Sequence, residues 1–413
     1  MSVLFPRHAA VDGFDVVDGN ICVDGKNISD YAAEFGETPF YLYSASAIRE
    51  RVANLRASLP SDLRLHYAIK SNPMDEVVAL MATLVDGLDV ASAGEIDIAM
   101  GGGASASVIS FAGPGKSDDE LSRAMVAGVT INLESPGEME RLATLAEAAG
   151  AQPQVAIRVN PAFELRQSGM KMGGGSKPFG VDEELVPGML HRLADLPLEF
   201  VGFHIFSGSQ GLDEDVLMDC HEKTIDLAIR LIEDAPQAPR HVNIGGGYGI
   251  PYFPGDKPLS LDRLGQCLEK CLDRLKAASP ETHMVMELGR FLVGEAGIYV
   301  AKVVDIKESR GETFVVTDGG LHHHLALSGN FGQVIRKNYP VAIANHAQLP
   351  SDTDQVFSIV GRLCTPLDQM GTNIQLPAVD VGDLVVVFQS GAYGASASPS
   401  QFLGHPGVKE FLV

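Results

Sequence analysis

Residues 63–90, LRLHYAIKSNPMDEVVALMATLVDGLDV, contain the repeat that decides the fold. The segment opens with an apolar run, passes a Ser-Asn-Pro turn, and continues with apolar residues three and four positions apart. That spacing is typical of an amphipathic helix, whereas the opening run and the closing GLDV are typical of buried strands. A strand, a helix and a second strand in this order predict a βαβ unit with two parallel strands.

The same alternation continues to about residue 290. Eight apolar runs are candidate strands, and a helix-like segment follows each of them: LRLHYAI, GLDVAS, SVISFAG, VTINLES, QVAIRVN, EFVGFHIFSG, HVNIGGG and HMVMELG. Eight strand–helix units in series predict a closed parallel (β/α)8 barrel of the TIM type rather than an open sheet. We place this α/β barrel at residues 37–290.

The sequence on either side of the barrel has a different pattern of predicted secondary structure. After residue 290, strand-like runs such as GIYVAKVVDIKES and DLVVVFQSG alternate with turns, which predicts an all-β domain over residues 291–413. Residues 1–36 share this pattern, and we expect their strands to join the β domain. A chain of 413 residues accommodates a barrel of ~250 residues together with a second domain.

Composition narrows the functional classes. The formal net charge is −22, from 31 basic and 53 acidic residues, which disfavours nucleic acid and anionic membrane as partners. No apolar run has the length of a membrane span, and the N-terminus lacks the pattern of a signal peptide. Five cysteines at scattered positions argue against a disulfide framework. A cytoplasmic protein is therefore expected.

Lys70 is the first candidate catalytic residue. It closes the first predicted barrel strand, and barrel enzymes keep their active sites at the C-terminal ends of the strands. Desolvation at such a site lowers the pKa of an amine, which a Schiff-base nucleophile requires. The alternative is an ordinary solvated lysine at a strand end.

Two glycine-rich turns and one acidic segment add to this candidate site. Gly245–Gly247 follow the strand HVNI, and Ser207–Gln210 follow VGFHIF. Such turns expose backbone N–H groups that can bind a phosphate. At the last strand, Glu287 could keep a pyridine nitrogen protonated, and Arg290 could bind a phosphate or a carboxylate. A simple ion pair at the strand end is the alternative for these two residues.

Together these motifs resemble those of the fold-type III pyridoxal 5′-phosphate (PLP) decarboxylases, the family of diaminopimelate, ornithine and arginine decarboxylases. HYAIKSNP is similar to the family's lysine motif, GGGYG to its phosphate glycines and ELGR to its EPGR segment. LCTPLD resembles its CESGD motif and SGAYGAS its GAYG motif. The motifs follow the family order, and the resemblance implies PLP as cofactor and a fold related to alanine racemase.

The resemblance implies roles for individual residues. Lys70 is expected to form the Schiff base, and Cys364, from the second subunit of a homodimer, to be the catalytic proton donor. The implied cofactor-binding residues besides Lys70 are His204, Phe206, Ser209, Gly245, Gly246, Gly247, Glu287, Gly289, Arg290 and Tyr393. The implied substrate-binding residues are Arg290, Arg336, Tyr339, Thr365 and Tyr393. No metal is expected.

Departures from the family pattern bear on the substrate. Phe206 stands where diaminopimelate decarboxylases carry a second His that stacks on the cofactor, and a phenyl ring can still stack. Thr365 replaces the acidic residue that binds a distal ammonium group, which disfavours free diaminopimelate, lysine or ornithine. Residues 319–340, GGLHHHLALSGNFGQVIRKNYP, resemble the branch that includes decarboxylases of glutamate tethered to an acyl carrier protein and exosortase-associated relatives.

The segment His322–His324 also raises the question of a metal site. Alternate residues of a strand face opposite sides, so we expect these histidines to lie near the substrate or a subunit interface instead of binding a metal.

The expected function is PLP-dependent decarboxylation of an L-amino acid or an amino-acid conjugate, with carrier-linked glutamate as a candidate substrate. An amino-acid racemase of the alanine-racemase type remains an alternative, although Glu287 and Cys364 favour decarboxylation. A catalytically inactive regulatory relative is the other alternative. The presence of Lys70, Arg290 and Tyr393, in addition to Glu287 and Cys364, argues against a catalytically inactive relative.

Overall fold

A computed structural model describes residues 8–11, 13–164, 170–328, 337–346 and 355–413. The chain forms two compact units. The β unit consists of Met1–Arg51, Ile250–Pro258 and Arg290–Val413, and the barrel unit of Val52–Gly249 and Leu259–Gly289. None of the helices in the described ranges is long and apolar enough to cross a bilayer.

Strands and helices of the described residues are numbered in chain order. The strands are β1 (Asp15–Val17), β2 (Asn20–Val23), β3 (Lys26–Asn27), β4 (Phe40–Tyr43), β5 (Arg64–Ala68), β6 (Gly87–Val90), β7 (Ile109–Phe111), β8 (Thr130–Leu133), β9 (Gln154–Asn160), β10 (Met170–Lys171), β11 (Val181–Asp182), β12 (Glu199–Ile205), β13 (Gly208–Ser209), β14 (His241–Gly246), β15 (His283–Leu288), β16 (Gly297–Ser309), β17 (Glu312–Thr317), β18 (Val341–Ile343), β19 (Gln355–Val360), β20 (Gln369–Leu376), β21 (Leu384–Val387) and β22 (Lys409–Leu412). The helices are α1 (Ile28–Phe35), α2 (Ala45–Ser58), α3 (Asp75–Ala82), α4 (Ala93–Gly101), α5 (Asp118–Ala127), α6 (Pro136–Ala149), α7 (Val186–Leu193), α8 (Glu214–Ile232), α9 (Leu261–Ala278) and α10 (Arg290–Val293).

The barrel unit contains a closed ring of eight parallel strands. In ring order they are β5, β6, β7, β8, β9, β12, β14 and β15, and β15 pairs with β5 to close the ring. These are the eight apolar runs identified in the sequence, so the predicted (β/α)8 barrel is confirmed. The runs are apolar because parallel barrel strands are covered on both faces, and β8 and β12 are almost completely buried.

Side-chain caps fix the starts of several barrel helices. The hydroxyls of Ser92, Ser117 and Ser135 each accept a backbone N–H in the first turn of α4, α5 and α6, and the carboxylate of Asp213 does so for α8. Each cap ends a loop that leaves the C-terminal end of a barrel strand. The loop that ends at Asp213 carries Phe206 and Ser209, so its C-terminal end is fixed by this cap.

The β unit is built on a mixed sheet in the order β18-β21-β16-β17-β19-β20, and β4 pairs with both β16 and β22. The separate β-sheet domain predicted from the sequence is present, although it also contains the helices α1 and α10. The run Phe40–Tyr43 lies within the range predicted for the barrel, yet as β4 it pairs antiparallel with β16 in this sheet. Its residues are all buried, and a short, fully apolar run has the same sequence pattern in either kind of sheet.

The N-terminal strands β1 to β3 form a small antiparallel sheet of their own, and α1 follows it. No helix was predicted here, although Ile28 and Tyr31 have helical spacing and are buried. Both residues belong to a core that also contains Ile21, Phe40 and Val300. The N-terminal segment therefore packs in the β unit through an apolar core.

Candidate active site

Strands β5 and β15 bring Lys70 and Glu287 together in the barrel unit. Lys70 lies in a short 3₁₀ turn, Ile69–Ser71, immediately after β5, and Glu287 lies near the end of β15. Nζ of Lys70 is 3.6 Å from Oε1 of Glu287, and the two side chains are 45% and 6% exposed. The amine is therefore open to solvent, whereas its carboxylate partner is buried.

Glu287 is held in its ionised form. Burial raises its pKa, but the charge of Lys70 and the neighbouring His204 oppose that effect and bring the pKa below the ordinary value for a glutamate. Nε2 of His204 lies 3.1 Å from Oε2 of Glu287, without the alignment of a hydrogen bond. Within the described residues, Oε2 of Glu287 has no hydrogen-bond partner. A buried carboxylate oxygen in this state is suited to accept a bond from a ring N–H.

The two glycine-rich turns lie against each other. The N–H of Gly211 donates to the carbonyl of Gly247 over 2.8 Å, which joins the turn after β12 to the turn after β14. A Cβ atom at Gly245 would lie 2.7 Å from the ring of Phe206, and one at Gly246 would lie 2.3 Å from the carbonyl oxygen of Glu287. Glycine is required here, and it leaves backbone N–H groups accessible to an anion.

The remaining barrel residues of the predicted site surround this centre. The ring of Phe206 lies 5.7 Å from Nζ of Lys70 and 6.4 Å from the ring of His204. Ser209 lies in β13, which pairs with β10, and a Cβ at Gly289 would be 2.9 Å from the side chain of Ser71. The barrel unit thus collects an amine, a buried carboxylate, an aromatic ring and a glycine-rich turn.

In the β unit, Arg290 is surrounded by tyrosines. It is buried, its Nη1 donates to the hydroxyl of Tyr252 over 3.0 Å, and its guanidinium lies 4.7 Å from the ring centre of Tyr393. Tyr339 packs on Tyr252 with ring centres 4.6 Å apart. Among the described residues no carboxylate forms an ion pair with Arg290, and its Nε has no hydrogen-bond partner. This group is chemically suited to bind an anion. Tyr252 was not predicted.

The predicted catalytic residue Cys364 and the predicted substrate residue Thr365 lie in one loop of the β unit. Cys364 is the one exposed cysteine of the five. The hydroxyl of the next residue, Thr365, accepts the N–H of Leu367 over 3.3 Å. Arg336, the remaining predicted substrate residue, lies outside the described residues.

The segment His322–His324 forms a turn after β17 instead of the strand assumed from the sequence. All three side chains are buried. His323 is hydrogen-bonded to the carbonyl of Pro406, and His324 to the hydroxyl of Ser390. In the described parts of the chain, no group of three or more His, Cys, Asp or Glu side chains is arranged to hold a metal ion.

Three polar residues inside the barrel were missed by the sequence analysis. Nδ1 of His66 lies 3.2 Å from Oδ2 of Asp89, and His66 is the register partner of Glu287 on the adjacent strand. Arg158 forms a buried ion pair with Glu134 at 2.7 Å and helps to lower the pKa of Glu287. Each of the three interrupts an apolar strand, in LRLHYAI, GLDVAS or QVAIRVN, and that interruption was the available signal.

The barrel residues fit PLP. Lys70 supplies an amine for the aldehyde carbon, and Glu287 has a buried oxygen available for the ring nitrogen. Phe206 supplies an aromatic face, and Gly245 and Gly246, which have no room for side chains, let the glycine-rich turn approach a phosphate. A closed barrel with these groups at the ends of its strands defines a PLP enzyme.

Comparisons with known proteins identify the family. Residues 45–294 match the pyridoxal-dependent decarboxylase family, pyridoxal binding domain. L-glutamyl-[BtrI acyl-carrier protein] decarboxylase from Niallia circulans is 36% identical over 383 residues, covering 91% of this chain and 89% of the relative. 2-[(L-alanin-3-ylcarbamoyl)methyl]-2-hydroxybutanedioate decarboxylase from Staphylococcus aureus is 30% identical over 380 residues, covering 89% and 92%.

A solved structure gives the same result. The crystal structure of diaminopimelate decarboxylase from M. jannaschii matches with a TM-score of 0.88 at 26% identity, covering 97% of this chain and 93% of that one. The chain belongs to the pyridoxal-dependent decarboxylase family. It is a PLP-dependent amino-acid decarboxylase, as the sequence motifs predicted.

Proposed function

We propose that this enzyme decarboxylates an L-glutamyl group carried on an acyl carrier protein. The observation that carries the proposal is the residue after Cys364, where Thr365 stands in place of an acidic residue. A free diamino acid would have to bring its distal ammonium group to this loop without a counter-charge. A glutamyl thioester has no distal ammonium group, and the relative from Niallia circulans acts, by its name, on such a substrate.

A second candidate substrate is a small amino-acid conjugate. The relative from Staphylococcus aureus is named for a substrate in which an alanine is joined through an amide to a 2-hydroxybutanedioate. The buried Arg290, which has no carboxylate partner among the described residues, would suit such an anionic substrate.

The barrel residues would hold the cofactor and prepare the substrate. Lys70 would bind the aldehyde carbon, Glu287 would accept the ring N–H, and Phe206 would supply an aromatic face for the ring. His204 supports Glu287, and Ser209, Gly245, Gly246, Gly247 and Gly289 line the phosphate side. When bound, PLP supplies an electron sink for the bond to the departing carboxylate. Arg290, Tyr339 and Tyr393 bind anionic groups of cofactor or substrate, and we keep Arg336 as a further candidate for the substrate carboxylate.

Cys364 would complete the reaction as a proton donor. Its thiol proton passes to the α-carbon after CO2 has left, and the resulting thiolate regains a proton from solvent. We propose that the chain acts as a homodimer in which each Cys364 serves the site of its partner. An exposed cysteine in an exposed loop is consistent with a role at a subunit interface.

The test of the substrate is a CO2-release assay on the purified holoenzyme. Glutamate loaded on an acyl carrier protein is compared with free glutamate, meso-diaminopimelate, lysine and ornithine, and the Lys70→Ala variant is the control for enzyme-dependent release. Turnover of the loaded carrier alone is the expected result. Rapid turnover of a free diamino acid would overturn the proposed substrate and leave the decarboxylase assignment intact.

A further inference from the structure

Asp368 holds the loop that carries Cys364. Its Oδ2 accepts the backbone N–H of Leu363 over 2.7 Å, and its Oδ1 accepts the N–H of Leu321 over the same distance. Asp368 is 2% exposed. One buried carboxylate therefore joins the residue before Cys364 to the segment that precedes the three histidines.

Two glycines leave room for this carboxylate. A Cβ atom at Gly320 would lie 2.5 Å from Oδ1 of Asp368, and one at Gly361 would lie 2.3 Å from Oδ2. Neither glycine has a positive φ angle, so their lack of a side chain serves the approach of the carboxylate and not an unusual backbone conformation. The segments GGL (319–321) and GRLC (361–364) therefore pack closely against the carboxylate of Asp368.

Hydrogen bonds within the loop connect its remaining residues to one another. The N–H of Gly361 donates to the carbonyl of Asp368 over 3.0 Å, and the N–H of Thr365 donates to the carbonyl of Leu363 over 2.8 Å. The hydroxyl of Thr365 accepts the N–H of Leu367. Asp368 is the one acidic residue in the segment 361–368. Both of its carboxylate oxygens accept hydrogen bonds from backbone N–H groups.

We propose that Asp368 is a positioning residue that fixes the place of the Cys364 thiol and is not available to a substrate ammonium group. The first part rests on the proposed role of Cys364 as proton donor. The second part explains why the loop remains without an accessible negative charge although an aspartate lies four residues from the cysteine.

The variants Asp368→Asn and Gly361→Ala test this role in the holoenzyme. The first replaces one acceptor by an NH2 group that faces a backbone N–H. The second keeps the carboxylate but crowds it, since a Cβ atom at Gly361 would lie 2.3 Å from Oδ2 of Asp368 and 2.5 Å from the carbonyl oxygen of Gly319. Asp383→Asn is the matched control for the first, because Asp383 also accepts a backbone N–H, that of Asp380 over 2.8 Å. Gly407→Ala is the control for the second, since a Cβ atom there meets nothing within 4 Å.

The first measurement is amide hydrogen exchange at Leu321 and Leu363. Both amides should exchange slowly in the parent protein and at least about fivefold faster in the two variants, the factor expected from the loss of one hydrogen bond. The two control variants should match the parent. Rapid exchange at Leu363 in the parent itself would overturn the proposal, even if neither variant folds.

The second measurement separates positioning from simple stability. Turnover of carrier-linked glutamate in deuterated water places one deuterium on the former α-carbon, and a fixed thiol delivers it to one face. The parent should give a single configuration, and Asp368→Asn and Gly361→Ala should give a mixture. A single configuration in both variants, together with faster exchange, would show that Asp368 only stabilises the loop.

The proposed function can fail separately. Full turnover and a single configuration in Cys364→Ser would remove Cys364 as proton donor, whatever the exchange data show. If carrier-linked glutamate is not turned over by the parent, the substrate proposal is wrong, and exchange at Leu321 and Leu363 still decides whether Asp368 fixes the loop.

Discussion

Thr365 has no charge, and its hydroxyl is already engaged with the N–H of Leu367. A carboxylate at this position would face the same surroundings as the threonine, in a loop whose other acid, Asp368, is buried and hydrogen-bonded. Under the proposed function, the charge at this single position distinguishes a site for diamino acids from a site for substrates without a distal ammonium group. Charge-assisted hydrogen bonds of this kind contribute about 1.5–3 kcal/mol.

We predict that Thr365→Asp gains activity on a free diamino acid. The new carboxylate can bind a distal ammonium group, and kcat/KM for lysine or meso-diaminopimelate should rise by about tenfold or more, as expected for one charged hydrogen bond. Thr365→Asn, which has the same shape without the charge, is the control and should show no gain. Equal values for the two variants in the CO2-release assay would contradict the charge argument.

At the scale of secondary-structure elements, the end of β14 leaves no room for a methyl group at Gly246. Gly246→Ala would place a Cβ 2.3 Å from the carbonyl oxygen of Glu287, which forces the turn and β15 apart. We expect the affinity for PLP to fall by about tenfold or more, since overpacking costs about 1–3 kcal/mol. The measurement is the PLP dissociation constant of the apoenzyme.

The control for Gly246→Ala is Gly188→Ala. Gly188 lies in α7, and a Cβ there meets nothing within 4 Å, so that the PLP affinity should remain that of the parent. An unchanged affinity in Gly246→Ala would mean that the turn can relax without disturbing the phosphate side.

Helix α8 carries a histidine that makes the barrel sensitive to acid. His221 is fully buried, and burial lowers its pKa to about 4, whereas an unfolded histidine has a pKa of about 6.5. The unfolded chain thus binds a proton between these values and the folded chain does not. The stability contributed by a neutral His221 is present above pH 6.5 and is lost as the pH falls toward 4.

We predict that His221→Phe reduces the pH dependence of unfolding. Between pH 8 and pH 5, the loss in unfolding free energy should be smaller than in the parent by about 2 kcal/mol. His191→Phe is the control, because His191 is exposed in the same unit and should leave the pH dependence unchanged. The experiment is urea unfolding at the two pH values, and parallel losses in parent and His221→Phe would refute the prediction.

The strands also show how much of the fold can be predicted from the sequence. The eight barrel strands were predicted because each is an apolar run bounded by a turn and followed by a helical period. Lys70 and the glycine turns were predicted from their positions at strand ends. Phe40–Tyr43 could not be assigned to its sheet, because a short apolar run does not encode its pairing partner.

Contacts inside the barrel were beyond the sequence for a similar reason. His66 and Asp89 meet because their strands are neighbours in one register, and no local pattern specifies that register. Asp368 stands in a matched motif, but its bonds reach Leu321, which is distant in the chain. Residues that act through long-range contacts are visible only once the fold is known.

At the scale of the whole molecule, the proposed sharing of active sites between the two subunits of a homodimer has a quantitative consequence. Coexpression of Lys70→Ala and Cys364→Ala chains produces about half heterodimers, and each heterodimer has one site with both an intact lysine and an intact cysteine. We therefore expect about a quarter of the parent's specific activity from the mixture, measured as CO2 release after the two tagged chains are purified. Each variant expressed alone is the control. Activity no higher than the sum of the two controls would show that each site uses the cysteine of its own chain.

The pairing of β4 with β16 and β22 determines what must happen while the protein is being made. A ribosome releases β4 first, then the whole barrel segment, and only afterwards the two strands that flank β4. Until then its backbone N–H and C=O groups form an open edge that other nascent chains can join. We therefore expect aggregation during expression to occur mainly between the synthesis of β4 and that of β16 and β22. Slower translation or lower temperature lets the barrel form before β16 emerges and should raise the yield of folded protein.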